Sequence, residues 1–133
     1  MKILLVDDDL DDQMLFREVL QNIDETLICD IANNGEEALK MLKSDSNFPD
    51  IIFLDLNMPR MDGRTCLEKI RATEELKHLN VVIVSTSISE EDELVFMMAG
   101  ARFMEKPNEY DKLSAMLEAH INSVRMENSG SMQ

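Results

Sequence analysis

Five side chains in this 133-residue sequence stand where chemistry could be done. Asp7 and Asp8 follow the apolar run Ile3-Leu4-Leu5-Val6, and Asp55 follows Ile51-Ile52-Phe53-Leu54. Ser85 follows Val81-Val82-Ile83-Val84, and Lys106, held before Pro107, follows Ala101-Arg102-Phe103-Met104. Carboxylates that converge repel one another unless a cation or protons neutralise them. A hard divalent cation with oxygen ligands answers that need. Mg²⁺ takes one or two carboxylates plus waters and phosphate oxygens, with Mn²⁺ as the alternative. Lys106 adds a point positive charge for an anion, and Ser85 offers a hydroxyl donor. Together they describe a place where a phosphoryl group could be received. Asp55 is the natural nucleophile, since carboxylates form aspartyl-phosphate intermediates. Taken singly, each residue reads as a cap, a turn hydroxyl or a strand terminator. Their joint placement at strand ends one, three, four and five carries the chemistry.

The elements that must position these groups follow from the apolar pattern. The three strongest runs lack alternation, so they read as strands buried on both faces of a parallel sheet. Leu27-Ile28-Cys29-Asp30-Ile31-Ala32 reads as a strand nearer an edge, and Ala101–Met104 as a fifth. Helical spacing lies between them. Met14, Leu15, Val19 and Leu20 fit one face of a first helix, whose start carries Asp9, Asp11 and Asp12 to suit a positive N-terminus. Asn34 caps a second, with Ala38, Leu39 and Leu42 as its stripe. Leu67 and Ile70 mark a third. Ser89 starts a fourth, with Leu94, Val95 and Met98 and a stop at Gly100. Asn108 caps a fifth, along which Tyr110, Leu113, Leu117, Ile121 and Val124 step by three or four. Five βα units imply one open α/β sheet with right-handed crossovers, in which ligands bind outside the carboxyl ends of the strands.

Composition sets the outer limits. With 27 acidic and 13 basic side chains the formal net charge is -14. That disfavours nucleic acid and an anionic membrane surface as partners. At 44% hydrophobic the chain is too apolar for a disordered acidic tail. No apolar run reaches the ~18 residues of a membrane span, and the N-terminal run is too short for a signal peptide. Two cysteines make no disulfide framework, so a cytoplasmic setting is expected. The expected organisation is one domain over 1–126 and a frayed polar tail over 127–133.

At these motifs the sequence resembles the receiver domain of two-component response regulators. The resemblance rests on Asp7-Asp8 after Leu4-Leu5-Val6, on Asp55-Leu56-Asn57-Met58-Pro59-Arg60-Met61-Asp62-Gly63, on Ser85, and on Lys106-Pro107, and it spans Lys2 to about Arg125. It implies a flavodoxin-like three-layer (βα)₅ fold with strand order 2-1-3-4-5. Asp55 would accept a phosphoryl group from a phosphohistidine on a sensor histidine kinase or histidine phosphotransfer protein. Asp7, Asp8, Asp55 and the Asn57 main-chain carbonyl would hold Mg²⁺. Lys106 would pair with Asp55 before transfer and with the phosphoryl oxygen afterwards. Ser85 would swing inward, and Phe103 matches the switch aromatic of the family. Output would be a docking face made by the fourth helix, fifth strand and fifth helix.

Some positions depart from the commonest family pattern. Thr86 stands where alanine or glycine is usual, and a bulkier residue narrows access to Asp55. Asn57, Thr86 and Ser87 occupy positions that tune rates in the family. The Ser85-Thr86-Ser87 tract resembles stand-alone regulators that serve phytochrome-type or hybrid kinases. The chain ends soon after the fifth helix, so the expectation is a regulator without an effector domain. It would be a monomer or a phosphorylation-promoted homodimer, acting on a downstream protein or as a phosphate relay. An Mg²⁺-dependent phosphatase with an aspartyl nucleophile is the rival. It needs a general acid two residues on, where Asn57 cannot serve. A flavodoxin-like electron carrier would need a phosphate-cradling loop where Asp7-Asp8-Asp9 stand. His78 and His120 show no metal spacing and read as surface residues. Cys29 and Cys66 read as small apolar groups. Met14, Met41 and Met116 read as core, while at least one of Phe96, Met97 and Met98 should face outward.

Overall fold

The computed structural model describes residues 1–44 and 46–130. Five strands, β1 (Lys2–Val6), β2 (Ile28–Ala32), β3 (Ile51–Asp55), β4 (Val81–Ser85) and β5 (Arg102–Glu105), alternate with five helices. These are α1 (Leu10–Ile23), α2 (Gly35–Ser44), α3 (Gly63–Ala72), α4 (Glu90–Met98) and α5 (Tyr110–Gly130). All ladders are parallel and the order is β2-β1-β3-β4-β5. The expected topology and the edge position of β2 are both found.

The unbroken apolar runs are explained by two cores, one on each face of the sheet. Leu4, Val6, Ile52, Leu54 and Ile83 point to one side and meet Ala38, Leu42, Cys66, Ile70 and Phe96 from α2, α3 and α4. Ile3, Leu5, Phe53, Val82 and Val84 point to the other and meet Phe16, Val19, Leu20, Leu113, Leu117, Ile121 and Val124 from α1 and α5. Successive residues of one strand thus feed opposite layers, as the pleat requires. Burying each large side chain stabilises the fold by about 1.5–3 kcal/mol.

Two helix faces differ from the sequence expectation. On α1, Met14 is 70% exposed and Leu15 also faces solvent, while Phe16 and Gln13 turn inward. On α4 only Phe96 is buried; Leu94 and Val95 are exposed, while Met97 and Met98 face outward, as expected of at least one of the Phe96-Met97-Met98 trio. The last five residues of α4, Leu94 to Met98, are apolar without interruption, so that half of the helix has no stripe to read and packing alone selects Phe96. Met41 and Met116 do pack against the cores.

Smaller corrections concern the termini and the histidines. Asn34 Oδ1 accepts the Glu37 N–H at 2.9 Å, as a cap should. The first turn of α5, however, is closed by the Glu109 carbonyl rather than at Asn108. α5 continues to Gly130, so 127–130 of the expected tail are helical, while 131–133 lie outside the described residues. His120 is half-buried against Phe53, with ring centroids 6.5 Å apart, rather than on the surface. His78 is exposed. Cys66 is buried and its thiol is pushed up to about 12 by that burial, while Cys29 is half-buried.

Candidate functional site

The carboxyl ends of β1 and β3 place the acids side by side. Val6 pairs with Leu54 across the ladder, so the next residues, Asp7 and Asp55, emerge at neighbouring positions. Carboxylate oxygens of Asp7, Asp8 and Asp55 all lie within 4.8 Å of one another. Asp7 is 2% exposed, Asp55 half-buried and Asp8 exposed. The cluster therefore runs from protein interior to solvent.

The local chain is built to hold this crowding. The Asp7 N–H donates to the Ala32 carbonyl at 3.1 Å, which extends the β1–β2 ladder by one step. Its Oδ1 accepts the Asp9 N–H at 2.9 Å, and its carbonyl accepts Gln13 Nε2 at 2.6 Å. Asp9 in turn caps α1 by accepting the Asp12 N–H. On the β3 side, the Asn57 N–H donates to Asp55 Oδ1 at 3.2 Å. The turn then closes through Gly63 N–H to the Leu56 carbonyl at 2.9 Å. A Cβ at Gly63 would lie 2.5 Å from the Asp55 carbonyl oxygen, so the close approach of α3 to β3 requires glycine.

Electrostatics follow from burial and like charge. Burial is the main cause that raises the Asp55 carboxyl to about 6, and the Asp7 and Asp8 charges add to it. The Asn57 N–H and Lys106 oppose that rise without cancelling it. Burial likewise pushes Asp7 up, against the Asp9 N–H and Lys106. A cluster that holds on to protons in this way lacks a cation's worth of positive charge. Hard oxygen donors at this spacing suit Mg²⁺ or Mn²⁺.

Ser85 and Lys106 arrive from the next two strands. Ser85 ends β4 opposite Glu105 of β5, and the Lys106 N–H donates to the Ser85 carbonyl at 2.7 Å. The buried Ser85 hydroxyl donates to the Ser87 carbonyl at 2.9 Å, so it is turned toward its own loop. Thr86, Ser87 and Asn57 are exposed. Phe103 is half-buried and packs on Phe96 at 6.5 Å between centroids, on the α4 side of the sheet.

Lys106 departs from the expected pairing with Asp55. Its Nζ lies 2.7 Å from Asp12 Oδ2 and 3.8 Å from Asp7 Oδ2. Among the described residues these two acids are its ion-pair partners. Asp12 is more solvated than Asp7, so it accepts the ammonium at lower desolvation cost.

Asp12 and Gln13 are the site residues that sequence reasoning missed. A signal for Asp12 does exist. With Asp9 as cap, Asp12 is the third residue of the helix, and helical side chains lean back toward the N-terminus. That lean carries its carboxylate over the strand ends. Gln13, 6% exposed, donates to both the Asp7 carbonyl and Asn33 Oδ1 and so ties the two loops together.

Comparison with known proteins agrees with this geometry. Residues 3–118 match the response regulator receiver domain. The chain is 35% identical over 127 residues to the chemotaxis protein CheY of Halobacterium salinarum, covering 89% of this chain and 98% of that one. It resembles the phosphorylated cyanobacterial phytochrome response regulator RcpA with a TM-score of 0.80 at 31% identity, covering 89% of each chain. It also resembles the Mn²⁺-bound form of response regulator Rcp1, with a TM-score of 0.79 at 31% identity and 89% of each chain covered. The chain spans 15%, 51% and 65% of the lengths of three further curated relatives.

Proposed function

The chain belongs to the response regulator receiver family, and on that premise we propose that Asp55 is its phosphoacceptor. The convergence of Asp7, Asp8 and Asp55 within 4.8 Å is the observation that carries the proposal. The donor would be a phosphohistidine on a sensor histidine kinase or phosphotransfer protein. An Asp55 carboxylate oxygen attacks phosphorus, the P–N bond breaks, and the imidazole leaves with the electron pair. The product is an acyl phosphate on Asp55 and a free histidine.

Asp7, Asp8, Asp55 and the Asn57 carbonyl would hold Mg²⁺, which supplies charge neutralisation for the entering phosphoryl group. The residues themselves do the rest. Burial of Asp7 and half-burial of Asp55 keep the site at a lowered effective dielectric, where a positive charge acts strongly. Lys106 is within reach of the acids and would pair with a phosphoryl oxygen. Ser85 would exchange its bond to the Ser87 carbonyl for one to that oxygen, drawing in the loop that carries Thr86 and Ser87. Asn57, Thr86 and Ser87 would flank the acceptor and set access for attacking water and so the lifetime of the acyl phosphate.

The switch would be read on the surface of α4, β5 and α5. Movement of the Ser85 loop reaches this face because the loop leads straight into α4. Phe103 is the proposed switch aromatic, and its contact with Phe96 joins β5 to the single buried residue of α4. Met97 and Met98, with Leu94 and Val95, give α4 an apolar outer face suited to a protein partner. The net charge of -14 favours a partner with a basic surface. No described helix is long and apolar enough to cross a membrane, and a cytoplasmic signalling protein is the proposed setting.

Intact mass after incubation with Mg²⁺ and a phosphodonor tests the assignment. One added phosphoryl group is expected in wild type and none in Asp55→Asn. Labelling that persists in the variant would refute it.

A further inference from the structure

We propose that Asp12 is a positioning residue that holds the Lys106 ammonium at the margin of the Asp7–Asp8–Asp55 cluster, nearer to itself than to Asp7, leaving that cluster open to a divalent cation until a phosphoryl group recruits the lysine. The inference rests on the phosphoacceptor reading above and extends it to a residue outside the acceptor set.

Both partners are held in place independently of their contact. Lys106 is fixed at its main chain by the N–H bond to the Ser85 carbonyl. Its Nζ lies 6.0 Å from the Phe16 ring centroid, and its side chain is 16% exposed. An ammonium so little hydrated needs an anionic partner. Asp12 is fixed in the first turn of α1, where its N–H donates to the capping Asp9 side chain at 3.1 Å. The lysine has two anionic directions open to it. One is Asp12 at 2.7 Å, and the other is the cluster, whose nearest member, Asp7, is 3.8 Å away.

The choice matters because a lysine and a divalent cation answer the same need. An ammonium seated among the three acids would neutralise one of them and repel an incoming Mg²⁺. One acid just outside the cluster removes that competition. Lys106 stays within reach, so a phosphoryl group on Asp55, with about -2 charge, can outbid the single charge of Asp12. Asp12 thus sets how much anionic charge must arrive before Lys106 moves.

The test uses the full chain and Mn²⁺ alone, with free Mn²⁺ read by electron paramagnetic resonance. Asp12→Asn is expected to weaken Mn²⁺ binding about tenfold, as a released ammonium enters the cluster. Asp11→Asn removes the same charge from an exposed neighbour and is expected to weaken it about twofold. Asp12→Glu is expected to restore wild-type affinity. In a Lys106→Ala background, Asp12→Asn is expected to cost no more than Asp11→Asn. Equal losses for Asp12→Asn and Asp11→Asn, or the same Asp12→Asn loss with and without Lys106, would overturn the inference. A metal-free readout stands beside these. The Lys106 ¹⁵N-ammonium resonance is expected to shift in Asp12→Asn and return in Asp12→Glu, and an unchanged resonance is a refutation. Wild-type protein that binds no Mn²⁺ would instead sink the cation reading, while the ammonium resonance still decides where Lys106 sits.

Discussion

Replacing Asp55 with asparagine is expected to make the metal-free protein more stable at neutral pH. The carboxyl titrates near 3.8 when unperturbed and is raised to about 6 in the fold, chiefly by burial. Its charged form is therefore disfavoured in the native state. Each pKa unit is worth ~1.4 kcal/mol, so ionised Asp55 costs the native protein ~3 kcal/mol. The sign follows from proton counting. Between pH 3.8 and about 6 the native state holds a proton that the unfolded state has released, so stability falls as pH rises through that window. Below the window the carboxyl is neutral in both states and the cost vanishes. Above it the cost is constant. Asparagine keeps the shape, and its amide oxygen still accepts the Asn57 N–H that bonds Asp55 Oδ1 at 3.2 Å. Urea unfolding of wild type and Asp55→Asn in a chelator, from pH 3.5 to 8, is the assay. The variant should gain nothing near pH 3.5, gain increasingly through pH 4–6, and level off at ~2–3 kcal/mol. Mg²⁺ at a hundredfold excess over its Kd should stabilise wild type by ~2.7 kcal/mol and so close most of the gap. A variant that is no more stable than wild type at pH 7.5, or a gap that ignores pH, would refute the reasoning.

Other expectations concern the frame around the acids. Gly63→Ala would drive a Cβ into the Asp55 carbonyl oxygen at 2.5 Å, a backbone atom that cannot rotate away. A loss of about 3 kcal/mol in urea unfolding is expected, and a loss under ~0.5 kcal/mol would show that the turn can relax. Phe96→Ala removes the only buried side chain of α4 and should cost ~3–5 kcal/mol. Met98→Ala, at a position 81% exposed, should stay within ~0.5 kcal/mol by the same measurement. Equal effects at the two positions would contradict the assignment of the α4 faces.

The strands and the acid positions were legible because each had a single physical reading. A run such as Ile51-Ile52-Phe53-Leu54 is apolar at every position only if both faces of the strand are covered, and both are. That coverage demands helices on each side, which in turn puts Asp7, Asp55, Ser85 and Lys106 at one edge. The helix faces were harder. Met14, Leu15 and Phe16 are adjacent and apolar, so two registers satisfy the spacing. The one adopted buries Phe16 while leaving Met14 outside. α4 offers five apolar residues in succession, from Leu94 to Met98, and a period cannot be read where nothing alternates. Asp12 was hidden for a related reason. Asp9, Asp11 and Asp12 all suit a helix N-terminus, and only the identity of the cap tells which one leans back toward Lys106.

The instability at Asp55 and the affinity for a cation are two faces of one free energy. A fold that paired every acid well would leave Mg²⁺ nothing to gain. Here Asp7 is buried at 2% exposure and Lys106 is held 3.8 Å from it, nearer to Asp12. The negative charge at the strand ends is thereby concentrated rather than spread. The two cores carry that strain because none of their side chains depends on the acids. The same account explains why overall acidity is a poor guide to the site. Most of the 27 acidic residues are free to hydrate, whereas buried Asp7 and half-buried Asp55, at the ends of β1 and β3, lose much of their water without gaining a full set of counter-charges. What marks the site is desolvated charge in one place, and that is the quantity a cation or a phosphoryl group with its cation can relieve.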